Sequence, residues 1–180
     1  MKKLTVKILA AGLSILMLPF VITLMLAGIK KGSLTAEHMD FTILDKQDGS
    51  VKELTFTEYL IGVVAANMPA GYEIEALRAQ AVIARTYTLY NIFMLREDNP
   101  GQREFTVTEL GLSYISPEEM RRYWDTHNYT AYYSKLENAV IGTRDKILTY
   151  DNELILPVFF NTGTGYTRNA REAWGVDIPY

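Results

Sequence analysis

The chain has 180 residues, with 18 Lys and Arg against 21 Asp and Glu, two His and no Cys. Length allows one domain with an appendage, and an apolar fraction of 48% rules out wholesale disorder. The lack of Cys excludes a disulfide framework, a thiolate zinc site, an iron–sulfur cluster and a cysteine nucleophile. Two His argue against a His-rich metal centre, so neither metal nor cofactor is expected. No basic run suggests nucleic-acid binding.

The net charge of −3 hides an asymmetry. Residues 1–31 hold five Lys (Lys2, Lys3, Lys7, Lys30, Lys31) and no acid, so the other 149 residues carry 13 basic and 21 acidic groups. Residues 8–29 form 22 consecutive uncharged positions. A bilayer core needs about 20 apolar residues as helix. The stretch exceeds an ordinary signal core, and no Ala-x-Ala site follows it. Leu26-Ala27-Gly28 resembles part of a lipoprotein box, but Ile29 stands where the lipid-bearing Cys would be. The expectation is one N-terminal transmembrane helix over 1–31, a membrane anchor or uncleaved signal, with Pro19 tolerated as a kink. Three Lys precede the span and two follow it. That favours a cytoplasmic N-terminus and an extracytoplasmic body in the cell membrane.

Residues 32–39 read as a linker. Residues 40–45 and 51–56 alternate as strands around a turn at 46–50. Thr57 is the expected cap of a helix from Glu58 to Asn67, stopped by Pro69. Residues 73–95 lack Gly and Pro and begin with acids, the pattern of a long helix. Asp-Asn-Pro-Gly at 98–101 breaks it. Ser116-Pro117-Glu118-Glu119 is a capping box opening a helix to Trp124. A further helix is expected over 132–142. Residues 146–150 and 153–160 read as a hairpin around Asp151-Asn152, with Pro157 marking an edge or bulge. The polar run 161–169 follows an apolar strand. It reads equally as a ligand loop and as a solvated connection.

No Walker loop, dinucleotide fingerprint, HExxH or GxSxG occurs. Asp125 and His127 read as a solvated turn rather than a catalytic dyad, since no nucleophile partners them. His38 falls in the linker. The body carries 12 Tyr, two Trp and six Phe. Their flat faces and polar edges suit sugar rings, and suit cores and interfaces as well. Asn67, Gln80 and Arg85 are polar positions within apolar helix. Such residues face water or join a network. Arg78 and Arg85 are seven apart and share a face, while Gln80 lies on another. They form either a salt-bridged surface or a cleft wall.

Several segments, in order, resemble one family. Glu58-Tyr-Leu-Ile-Gly-Val-Val-Ala-Ala-Asn-Met-Pro69 is similar to the opening motif of stage II sporulation protein D and its relative, the amidase enhancer LytB. Glu75-Ala-Leu-Arg-Ala-Gln-Ala-Val-Ile-Ala-Arg-Thr-Tyr87 resembles the family's long-helix motif. Tyr114-Ile-Ser-Pro-Glu-Glu-Met and Trp124 resemble its middle section. Ala139-Val140, Thr143, Ile147-Leu-Thr-Tyr150, Phe159-Phe-Asn-Thr162 and Gly165-Tyr-Thr-Arg-Asn169 resemble its late motif, closed by Trp174 and Pro179-Tyr180. The likeness covers residues 40–180.

The resemblance implies a membrane-anchored protein that acts on septal peptidoglycan as the forespore is engulfed. Family members are lytic transglycosylases. One carboxyl protonates the glycosidic oxygen and then removes the 6-hydroxyl proton as an anhydro-sugar end closes. The family's acid stands between Ala-Ala and Met-Pro, where this chain has Asn67. A carboxamide does not titrate near neutral pH, so Asn67 is expected to be inactive. Glu58, Glu73 and Glu75 are the nearest substitute carboxylates in sequence. Other departures are Ser113 for Gln, Gly163 for Ser, and Arg168, Ala170 and Arg171 for acidic or hydroxylated residues. Relatives continue beyond Tyr180, so the C-terminal part of the domain is expected to be lacking. A few relatives bind zinc through Cys and His, which the absence of Cys excludes here.

The expected fold is α+β, a single domain with a long helix packed on an antiparallel sheet. The expected function is peptidoglycan binding without catalysis, with glycan strands, the membrane and other engulfment proteins such as a cell-wall amidase as partners. The alternative is an active transglycosylase using another carboxylate. The expected substrate contacts are Gln80, Arg85, Asn161, Thr162, Gly165 and Trp174 beside Asn67.

Overall fold

The structure, a computed structural model, describes Met17 and residues 40–46, 49–160, 163 and 165–180. The anchor expected over 1–31 and the linker over 32–39 lie, apart from Met17, outside the described residues. Among the described residues no helix is long and apolar enough to cross a membrane. The elements run β1 (Thr42–Asp45), β2 (Lys52–Leu54), α1 (Phe56–Asn67), α2 (Ile74–Asp98), β3 (Glu104–Thr106), α3 (Pro117–Tyr123), α4 (Thr126–Ile141), β4 (Thr149–Tyr150), β5 (Glu153–Leu154) and α5 (Ala170–Trp174). The fold is α+β and contains the expected long helix, α2, of 25 residues.

β1 pairs antiparallel with β2, and Ile43 stands opposite Leu54. On its other side β1 pairs parallel with β3, which the alternation of residues did not announce. The parallel pair is possible because α1 and α2 form the long crossover between the two strands. β4 and β5 make a separate two-stranded hairpin. Asp151 and Asn152 both take left-handed backbone there, as a tight hairpin turn requires. The hairpin is shorter than the sequence suggests. Pro157 has no N–H to extend a ladder, and Leu156 N–H instead donates to Tyr180 Oη at 2.9 Å.

α1 is the central element. Six consecutive residues, Tyr59 to Val64, are buried. A helix apolar all round must be covered all round. α1 meets β1 and β2 on one side and α2 and α4 on others. The long helix packs mainly on α1 and α4 rather than on the sheet, so α1 lies where the sequence reading put α2. Its contributions to the common core include Leu77, Ala81, Ala84 and Ile92.

Helix starts follow local chemistry, with two shifts from expectation. α1 is capped by Thr55, not Thr57, because Glu58 completes a reciprocal box with Thr55; the residue three beyond Thr57 is Leu60, which has no carboxyl to offer. α4 begins six residues early. Asp125 caps it by accepting from Asn128 N–H at 2.9 Å, so the Asp125–His127 segment is a helix start. Ser116 and Glu119 form the expected box at α3.

The Thr55 backbone N–H, then its hydroxyl, hold the Glu58 carboxyl below its ordinary value. A depressed carboxyl stabilises the fold above its unfolded pKa, near 4, and the benefit is lost as pH falls through the folded value. Thr55→Ala is expected to cost about 1 kcal/mol at pH 7. It should also shrink, without abolishing, this acid-linked loss, because the backbone donor stays. Urea unfolding at pH 7 and in steps down to pH 3 checks both.

Candidate functional site

The site is built around the C-terminal end of α1. Asn67 is the last helical residue, and Met68 turns to extended backbone because Pro69 cannot follow a helical residue comfortably. Met68 N–H still donates to Val64 O at 2.9 Å. The Asn67 amide nitrogen donates to Val63 O at 2.8 Å and to Ser113 O at 3.0 Å. Both of its hydrogens are therefore held by backbone carbonyls, one in its own helix and one 46 residues away.

That second carbonyl belongs to a segment lying directly on α1. Ile115 N–H donates to Gly62 O at 3.3 Å. A Cβ at Gly62 would stand 2.2 Å from the Tyr114 ring and 2.7 Å from Ile115 O, so only glycine lets the segment approach. Tyr114 stacks on Tyr59, with centroids 5.9 Å apart and rings 12° from parallel. Burial raises the pKa of both phenols; the carboxylates of Asp45, Glu118, Glu58 and Glu119 add to the effect at Tyr114. Both therefore stay neutral well above ordinary phenol pH.

On the far side of Asn67, residues 69–72 form a turn closed by Tyr72 N–H donating to Pro69 O at 3.0 Å. Lys135 of α4 donates from Nζ to Gly71 O at 3.4 Å and also to Tyr72 O. The end of α1 is thus tied by Asn67 to the 113–115 segment, and the turn beyond it is tied to α4.

The other expected site residues are distributed differently. Arg85 is 2% exposed, and its guanidinium donates to Val140 O and Thr143 O, both at 2.8 Å, and to Lys146 O at 3.3 Å. It holds the carbonyl end of α4, where the helix dipole favours a cation. Burial lowers its pKa to about 10, with Asp145 opposing, so it stays charged at neutral pH. Gln80 is 3% exposed, and its amide nitrogen has no partner among the described residues. Neither side chain bonds Asn67. Gly165 is exposed with φ +111°, a backbone that favours glycine. Asn161 and Thr162 lie outside the described residues. Trp174 ends α5 at 55% exposure and lines a hollow of about 410 Å³ with Ile83, Leu148, Pro157, Arg168 and Tyr180.

Of the three substitute carboxylates, Glu58 and Glu75 are engaged elsewhere and Glu73 is exposed. Glu58 lies in the opposite end turn of α1, nine residues or roughly 13 Å along the axis from Asn67, and its carboxylate closes the Thr55 box. Glu75 pairs with Arg78 at 2.5 Å. Glu73 precedes α2 and makes no side-chain cap bond to it. Sequence reading missed Ser113 and Lys135 as neighbours of this end of α1, and Tyr114 as the ring that covers Gly62. Gly62 was the available signal, since an isolated glycine within an apolar helix usually marks a close approach.

These observations define an α+β domain whose central helix ends in a polar clasp around Asn67. A stage II sporulation protein family model matches residues 45–150, and the chain belongs to that family. Stage II sporulation protein D of Bacillus amyloliquefaciens is 39% identical over 132 residues, 73% of this chain and 38% of the relative. The Bacillus subtilis protein of that name is 36% identical over 149 residues, 82% and 43% respectively. The amidase enhancer of Bacillus subtilis is 29% identical over 121 residues, 67% of this chain and 14% of the relative. The chain spans about two fifths of the length of the two stage II D relatives.

Two substitutions test this arrangement. Asn67→Asp replaces a double donor with a carboxylate facing the same carbonyl groups. It is expected to cost about 1–3 kcal/mol at pH 7. The carbonyls favour the protonated acid and raise its folded pKa. The deficit against the unaltered chain should therefore be smallest below about pH 4 and grow as pH rises through the raised value; paired urea titrations across that range read it. Arg85→Leu leaves the carbonyls at the end of α4 without their donor. A loss of order 3 kcal/mol is expected in the same assay.

Proposed function

We propose that this chain is a peptidoglycan-binding member of the sporulation family that holds glycan strands without cutting them. Residues 1–31 anchor it in the cell membrane, and the body lies outside the cytoplasm. It works in remodelling septal peptidoglycan during engulfment, beside a wall-cutting partner such as an amidase. The name of the amidase enhancer relative supports that pairing.

The observation that carries the reading is the Asn67 amide. Lytic cleavage needs one group to give a proton to the glycosidic oxygen and then take one from the 6-hydroxyl. Asn67 has no proton to exchange near neutral pH, and both amide hydrogens are directed at Val63 O and Ser113 O. Losing a general acid costs about 10²–10⁴ in rate, and here one group would serve two steps. The clasp nevertheless keeps the end of α1 ordered, as a binding surface needs.

The test uses the full-length chain in mild detergent with glycan strands stripped of stem peptides. Co-sedimentation with the strands and no anhydro-sugar ends by mass spectrometry are expected. Asn67→Glu, once shown to be folded, should produce such ends. Anhydro ends from the unaltered chain would overturn the non-catalytic reading, and failure to bind would overturn the peptidoglycan reading itself.

A further inference from the structure

Tyr72 combines a fixed backbone with a presented ring. Its N–H closes the turn onto Pro69 O, and its carbonyl, with that of Gly71, accepts from Lys135 Nζ. Ala70, two residues earlier, is 4% exposed and anchors the turn in the core. The Tyr72 ring is nevertheless 51% exposed, and among the described residues it contacts no other ring. A turn tied at three backbone points has the means to bury an aromatic ring. This one holds it outward, five residues beyond Asn67. Glu73, also exposed, follows it directly.

We infer that Tyr72 is a stacking contact for a pyranose ring of a glycan strand, held in place by Lys135 as a positioning residue. This rests on the peptidoglycan-binding reading above and names a contact within that site. The CH face of a sugar lies against the phenol ring, whose hydroxyl remains available at the edge. A rigid two-torsion side chain on an ordered turn loses little entropy on contact, which is why an aromatic anchor suits the task. Lys135 makes no contact with the sugar in this scheme; its ammonium holds the two carbonyls that fix the direction of the Tyr72 Cα–Cβ bond.

The test measures affinity of the full-length chain in detergent for a defined denuded glycan oligosaccharide by calorimetry. Tyr72→Ala is expected to weaken binding by about tenfold or more, with an unchanged unfolding midpoint because the ring is largely exposed. Tyr72→Trp should retain affinity and show an emission shift on adding the oligosaccharide. Tyr123→Ala, at a 71% exposed ring on α3, is the control and should bind like the unaltered chain. Lys135→Met in the Tyr72→Trp background should reduce that emission shift, and Lys135→Arg, which can still donate to both carbonyls, should restore it.

Binding by Tyr72→Ala within twofold of the unaltered chain, or equal losses in Tyr72→Ala and Tyr123→Ala, would overturn the inference and leave the peptidoglycan reading standing. An undiminished emission shift in Lys135→Met would overturn the positioning role. No binding by the unaltered chain would overturn both readings together.

Discussion

The burial of α1 on every side is the constraint on which the other elements depend. Tyr59, Leu60, Ile61, Val63 and Val64 are each no more than 1% exposed, so a sheet, two helices and an irregular segment must all meet one twelve-residue helix. Apolar burial contributes about 25 cal/mol per Å² and has no direction. It brings the layers together but does not choose their register. The register comes from shape at Gly62, where the absence of a Cβ admits the Tyr114 ring, and from a few polar ties between distant segments.

Those ties share one form: a side-chain donor from one element satisfies backbone carbonyls of another. Arg85 of α2 serves the end of α4, Asn67 of α1 serves Ser113, Lys135 of α4 serves the turn after α1, and Asn91 of α2 serves Leu110 at 2.9 Å. Thr86 makes the converse tie, its hydroxyl accepting from Leu148 N–H at 3.0 Å while donating to Val82 O of its own helix. Carbonyls at helix ends and in loops have no partner within their own segment. Using them as acceptors fixes loops onto helices without burying a second charge. It also gives Asn67 a structural task that an ionised carboxylate could not perform, because a carboxylate has no hydrogen to donate to either carbonyl.

Legibility in the sequence varied with the range of the interaction. Ser116 with Glu119, and the Asp151-Asn152 turn, were readable because every participating residue lies within four positions. Thr57 is not the cap of α1 because the carboxyl at the required spacing, Glu58, lies three positions beyond Thr55. Asp125 was legible in principle as a cap, but the polar Thr-His-Asn run after it lacks the apolar spacing that marks a helix. Gln80 and Arg85 were singled out for being polar in apolar surroundings. That pattern marks a network without saying whether the partners are backbone or ligand.

By itself the sequence determined the class of fold, the long helix and the Ser116 start of α3, because each rests on residue type or on spacing within a few positions. Only the tertiary structure decided that α1 rather than α2 is central, that β3 joins β1 in parallel, and that Arg85 closes α4. It also decided that Asn67 holds Ser113 O and that Lys135 holds Gly71 O and Tyr72 O. Each of those facts joins residues tens of positions apart, and which distant carbonyl a donor meets is settled by packing around the buried helix, not by anything local to the donor.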